Sequence, residues 1–129
     1  MIPEYLSGSV LLIADDNIMN LQLLSNYLTR MNFKILVAED GQEAYKRAES
    51  GKPDLILLDI ILPKKNGFQV CRQIKTSPDT HDIRIVMVSS KSEEADRFWG
   101  MKQGADAYIA KPIVEQDLLN TVAKLLKKS

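Results

Sequence analysis

Six polar residues stand directly after short apolar runs. Asp15 and Asp16 follow "SVLLIA" (Ser9 to Ala14), Asp59 follows "DLILL" (Asp54 to Leu58), Ser89 and Ser90 follow "RIVMV" (Arg84 to Val88), and Lys111 follows "DAYIA" (Asp106 to Ala110). Asp59 is the most conspicuous, because "LILLDIILP" surrounds it with aliphatic residues and an unpartnered carboxylate is expensive to bury. Brought together, these groups have a definite chemistry. Two carboxylates about 5 Å apart at an effective dielectric near 20 repel by roughly 3 kcal/mol, about two pKa units. Either a retained proton or a divalent cation must relieve that repulsion, and ligation by carboxylate oxygens and water suits Mg²⁺ (or Mn²⁺). No His or Cys follows a run closely enough to argue for zinc. With a metal present, Lys111 and a serine hydroxyl can hold phosphoryl oxygens, and an aspartate can attack phosphorus to give an acyl phosphate. Taken singly, each residue has a plainer explanation as a helix cap or loop residue. Set in register at successive strand ends, the six together point to a site.

The elements that would position the set are legible in the patterning. The four runs above, with "KILVA" (Lys34 to Ala38), are almost continuously apolar. That marks strands covered on both faces, as in a parallel sheet. Between them, Ile18, Leu21, Leu24, Leu28 and Met31 form a helical stripe. Asp40 with Glu43 and Ser90 with Glu93 have capping-box spacing, Gly51 and Gly104 stand at helix ends, and Val114 to Lys128 reads as a last helix with Leu118, Val122 and Leu125 on one face. Five βα units predict an α/β, flavodoxin-like, doubly wound sandwich with a parallel sheet in the order 2-1-3-4-5. Ligands in that architecture lie beyond the carboxyl ends of the strands, where strands 1, 3, 4 and 5 are neighbours. Asp59 would end the middle strand, with Asp15 and Asp16 in the adjacent loop placed as metal ligands, so Asp59 is the expected acceptor.

Composition narrows the function classes. The 129 residues carry 17 basic and 17 acidic side chains, giving no global field to attract nucleic acid or an anionic membrane. The apolar runs fall far short of the ~20 residues of a membrane helix, and "MIPEYLSGS" lacks the pattern of a secretory signal. One cysteine, Cys71, fits a reducing cytoplasm. A single soluble domain spanning residues 1–129, with its core at about 9–126, is expected, without direct nucleic-acid contact or membrane insertion.

The same residues resemble the receiver domain of two-component response regulators, over nearly the whole chain. "LLIADDN" is similar to the family's acidic pair, which implies Asp16 as direct metal ligand and Asp15 as its water-mediated helper. "LLDIILPKKNG" resembles the phosphoacceptor segment, with Asp59 as phosphorylation site and the Ile61 backbone carbonyl as a further metal ligand. "MVSSK" resembles the switch segment, making Ser89 the hydroxyl that contacts the phosphoryl group. "YIAKP" implies Lys111 as the phosphoryl-binding cation, Tyr108 as the switch aromatic, and a cis Lys111–Pro112 bond. The stretch from Asp96 to Pro112 also resembles single-domain regulators of twitching motility and phototaxis.

The resemblance implies a phosphodonor, a sensor histidine kinase or phosphotransfer protein, and a downstream target protein met by the fourth helix, fifth strand and fifth helix. It implies no enzyme activity beyond the chain's own phosphorylation and dephosphorylation. The alternative is a receiver from a larger hybrid kinase or multidomain regulator, or a relay intermediate. A dehalogenase-type phosphatase would need a second aspartate at position 61, which is Ile61, and a flavodoxin-type module would not place two carboxylates in its phosphate loop. Apolar Ile61 cannot orient an attacking water, so slow autodephosphorylation is expected. Phe98 and Met101 are expected in the core, Trp99 either against the sheet or on a partner surface, Cys71 as a packed thiol and His81 in a solvent-facing loop. Gly100, inside a helix, costs about 1 kcal/mol relative to alanine.

Overall fold

Each apolar run forms a strand and each intervening stretch a helix. The computed structural model describes residues 6–91 and 93–127. Its elements are β1 (Val10–Ala14), α1 (Ile18–Thr29), β2 (Lys34–Ala38), α2 (Gly41–Gly51), β3 (Leu55–Leu58), α3 (Gly67–Thr76), β4 (Arg84–Ser89), α4 (Glu94–Lys102), β5 (Ala107–Ala110) and α5 (Glu115–Leu126). The five strands form one parallel sheet in the order β2-β1-β3-β4-β5, as expected.

Side chains alternate across a strand, so each strand feeds two cores. Leu11, Ile13, Leu55, Leu57, Val86 and Val88 pack with Leu24 and Leu28 of α1 and Leu118 and Val122 of α5. Leu12, Ile56, Leu58, Ile85 and Met87 pack on the other face with Ala44 and Ala48 of α2 and Val70, Cys71 and Ile74 of α3. Both faces are apolar, which is why these strands read as unbroken runs. Each fully buried Leu or Ile contributes about 1.5–3 kcal/mol by leaving water. Truncating one such as Leu57 to alanine would cost about 2–5 kcal/mol.

Local signals fix most helix starts. Asn17 caps α1 by accepting from the Asn20 N–H at 3.0 Å. Asp40 caps α2 by accepting from the Glu43 N–H at 2.7 Å, while the Glu43 carboxylate reaches back to the Glu39 N–H at 2.8 Å. Asn66 and Gln69 form a reciprocal capping box on α3. Gly104, at φ +104°, follows α4 in the left-handed region, as a glycine after a helix does. At the end of α2 that conformation falls on Lys52 instead, at φ 45°. Gly51 serves closeness, since a Cβ there would lie 2.8 Å from Leu36 Cδ1.

The structure corrects several expectations. Helix α4 begins after Glu93, whose N–H donates to the Asp96 carboxylate at 3.2 Å, so Ser90 is no cap. Phe98 and Met101 are not core residues: they are 55% and 49% exposed, and Trp99 is 55% exposed with its ring edge-to-face with Phe98. The physical reason is position. Short α4 packs on β5, the edge strand whose residues are themselves only partly buried, and it buries Gly100 alone. Ile18, expected on the buried stripe of α1, is the first residue of the helix and is 63% exposed, while Leu21, Leu24 and Leu28 are buried. Cys71 is buried and His81 exposed, as expected. The first residues of "MIPEYLSGS" and Lys128 lie outside the described residues.

Candidate functional site at the carboxyl ends of the strands

The parallel ladder itself carries the site residues into place. Ala14 pairs with Leu58 and Ser89 with Ala110. Hydrogen bonding then runs one residue further, with the Asp15 N–H on the Ala38 carbonyl at 3.1 Å, the Asp59 N–H on the Ala14 carbonyl at 3.0 Å and the Lys111 N–H on the Ser89 carbonyl at 3.0 Å. Asp15, Asp59 and Lys111 are therefore fixed at the main chain before any side-chain contact is counted. The turn beyond Asp59 is equally constrained. Gly67 donates its N–H to the Ile60 carbonyl at 2.8 Å, and a Cβ on it would sit 2.3 Å from the Asp59 carbonyl oxygen. The Lys111–Pro112 bond is cis, as the resemblance implied.

One carboxylate oxygen from each of Asp15, Asp16 and Asp59 lies within 4.8 Å of the others. Asp15 and Asp59 are 2% and 7% exposed, while Asp16 is open to solvent. Lys111 Nζ bridges the buried pair, 2.8 Å from Asp15 Oδ2 and 3.0 Å from Asp59 Oδ2. Burial works against its charge, but the hydrogen bonds to Asp15 and Asp59 and their negative charges outweigh that and hold its pKa above the ordinary lysine value. The remaining oxygens are also engaged: Asp15 Oδ1 accepts from the Asn17 N–H at 2.9 Å and Asp59 Oδ1 from the Ile61 N–H at 3.3 Å. Asp15 thus also organises the residue that caps α1.

Three carboxylates facing one ammonium leave an excess of negative charge. Its donors are all hard oxygens, with no imidazole or thiolate in the cluster among the described residues. The donor set fits a divalent cation of the Mg²⁺ type.

Ser89 closes β4 fully buried, and its Oγ accepts from the Lys91 N–H at 3.3 Å. Tyr108, in β5, donates its hydroxyl to the Lys91 carbonyl. Burial, then the Asp96 carboxylate, raise the phenol's pKa, with Arg97 opposing. The structure therefore brings Asp15, Asp16, Asp59 and Lys111 into one cluster and links Ser89 to Tyr108 through the main chain of Lys91. Ile61 is attached to the cluster by its N–H, and its side chain is 55% exposed. Sequence reasoning missed Asn17, whose N–H holds Asp15; an Asn two residues after a strand-end Asp was the available signal. It also missed Arg97, whose guanidinium carbon lies 5.1 Å from the Tyr108 ring centroid, and no spacing rule pointed to that contact.

Comparison with known proteins agrees with this geometry. The family model described as "Response regulator receiver domain" matches residues 11–123. The chain is 37% identical to protein PilH of Pseudomonas aeruginosa over 116 residues, covering 90% of this chain and 96% of PilH. It is 38% identical to the alkaline phosphatase synthesis transcriptional regulatory protein PhoP of Bacillus subtilis over 119 residues, covering 92% of this chain but 49% of PhoP. The chain thus spans nearly all of one relative and about half of the other. Among solved structures, the CheY-like response regulator receiver domain protein of Methanospirillum hungatei superposes with a TM-score of 0.88 at 25% identity, covering 95% of this chain and 96% of that one. Fold, cluster and relatives converge: the chain belongs to the response regulator receiver domain family.

Proposed function

We propose that the chain is a phosphorylation-dependent switch in which Asp59 accepts a phosphoryl group from a sensor histidine kinase or phosphotransfer protein. The observation that carries this is the Lys111 ammonium bridging buried Asp15 and Asp59 with Asp16 alongside. An Asp59 carboxylate oxygen attacks phosphorus, the bond from phosphorus to the donor breaks, and the donor leaves with the electron pair. Asp16, Asp59, the Ile61 carbonyl and, through water, Asp15 would hold Mg²⁺ or Mn²⁺. When bound, the cation neutralises charge on the phosphoryl oxygens. Lys111 balances the remaining charge, Ser89 supplies a hydroxyl to a phosphoryl oxygen, and Tyr108 relays the change to the face of α4, β5 and α5, where a target protein is met.

This reading places the chain, as a single receiver domain over residues 1–129, in the cytoplasm. Among the described residues no helix is long and apolar enough to cross a membrane. Its only chemistry is its own phosphorylation and dephosphorylation. A receiver within a larger regulator, or a relay intermediate, is the second reading, favoured by the chain's match to about half of PhoP. Incubation with acetyl phosphate and Mg²⁺ followed by intact mass tests the function. One added phosphoryl group is expected on the native chain and none on Asp59→Asn; equal labelling of both would remove Asp59 as acceptor. The exposed, apolar Ile61 side chain has no polar group to orient an attacking water. The phosphorylated form is therefore expected to persist for minutes or longer, and decay within seconds in Mg²⁺ would contradict this.

A further inference from the structure

Gly100 and Arg97 have no part in the carboxylate cluster, yet both bear on Tyr108. Gly100 is the buried residue of α4, and a Cβ there would lie 3.2 Å from Tyr108 Cδ2 and 3.3 Å from Cε2. The tyrosine ring is therefore seated against the helix where a side chain would intrude. Arg97, one turn earlier and exposed, places its guanidinium carbon 5.1 Å from the ring centroid, within cation–π range. Its Nη1 also lies 3.5 Å from the Tyr108 carbonyl oxygen.

From this seat the tyrosine hydroxyl donates to the Lys91 carbonyl, and the Lys91 N–H donates to Ser89 Oγ at 3.3 Å. Lys91 Nζ stands 3.8 Å from Asp96 Oδ1, which ties the same residue directly to α4. A serine hydroxyl has one proton and two lone pairs. When Oγ accepts from Lys91, its own proton stays available to donate, and accepting one bond polarises it toward giving another.

We propose that Gly100 and Arg97 are positioning residues for the phosphoryl site: by seating Tyr108 against α4 they hold the Lys91 main chain on Ser89 Oγ, leaving the serine proton for a phosphoryl oxygen on Asp59. This rests on Asp59 being the phosphoacceptor. It also explains a glycine in the interior of α4, where helix propensity disfavours one.

The test is a titration of the full chain with beryllofluoride, a mimic of the aspartyl phosphate, in saturating Mg²⁺, with bound fraction read by fluorine NMR and melting temperature measured in parallel without ligand. Gly100→Ala and Arg97→Ala are each expected to weaken beryllofluoride binding roughly three- to tenfold, the range expected for residues that modulate coupling without touching ligand. Arg97→Lys, which keeps the cation, is expected to stay within about twofold of the native chain. Arg97 is exposed, so its variants carry the test even where Gly100→Ala fails to fold. Binding within twofold of native in Arg97→Ala, whatever its melting temperature, would overturn the proposal, as would the same result in a folded Gly100→Ala. Native chain that binds no beryllofluoride would overturn the phosphoacceptor reading together with it, an outcome distinct from unaltered variants.

Discussion

Asp59 occupies a place where a carboxylate is expensive, and the partners that make it tolerable are now identified. The ladder fixes its main chain, Ile61 donates to one oxygen and Lys111 to the other. Lys111→Ala would leave Asp15 and Asp59 facing each other without the ammonium. It is expected to lower the stability of metal-free protein by about 1–3 kcal/mol. Added Mg²⁺ should then recover more stability in the variant than in the native chain, as a cation replaces the missing charge; denaturant midpoints with and without Mg²⁺ check this. Cys71 offers a second prediction at this scale. Burial pushes its thiol from 9.0 up to about 12. The folded state thus holds that proton more tightly than the unfolded chain, so the Cys71 contribution is complete well below pH 9 and is lost as pH rises above it. Between pH 9 and 10 its contribution falls by about 1 kcal/mol. The raised Lys111 pKa acts in the same direction, its contribution complete below 10.5 and lost as pH rises through the folded value. Denaturant unfolding at both pH values should show a steeper loss for the native chain than for Cys71→Ala, and equal slopes would contradict the burial argument.

At the scale of elements, the loop from Ile60 to Asn66 is held by two close approaches that only glycine permits. A Cβ at Gly41 would lie 1.9 Å from the Lys65 carbonyl oxygen, and one at Gly67 2.3 Å from that of Asp59. Gly67→Ala is therefore expected to cost more than about 2 kcal/mol and to weaken Mg²⁺ binding, because the clash falls on the main chain of Asp59 and Ile60. Asn66→Ala, which removes a cap and leaves the approach intact, is expected to cost about 1 kcal/mol with Mg²⁺ affinity preserved. Thermal unfolding with a Mg²⁺ titration separates the two. The strands and most caps were legible because each rests on local signals: aliphatic runs such as Leu55 to Leu58, and Asp40 three residues before Glu43. The start of α4 was not. Ser90 and Glu93 have the spacing of a cap, but Ser89 closes β4 and Lys91 is held by Ser89 and Tyr108, so the helix begins only after Glu93.

For the whole molecule, the sheet order turns sequence-distant residues into neighbours. Asp15, Asp59 and Lys111 were legible as a cluster because each directly follows a strand, and a parallel sheet brings strand ends to one edge. The exposure of Phe98, Trp99 and Met101 was not legible. Apolar residues in a helix signal burial only where the helix face is covered, and short α4 packs at the β5 edge of the sheet with Gly100 as its buried residue. The contacts of Arg97 and Gly100 with Tyr108 are tertiary and leave no periodic trace. The proposed mechanism depends on a bond between Asp59 and phosphorus, and a trapping experiment tests for it directly. Phosphorylation of the chain in Mg²⁺, borohydride reduction of the acyl phosphate and peptide mass spectrometry should find homoserine at position 59 and at no other aspartate. Reduction at Asp15 or Asp16 instead, or no reduction at any carboxylate under conditions that add a phosphoryl group, would contradict the account.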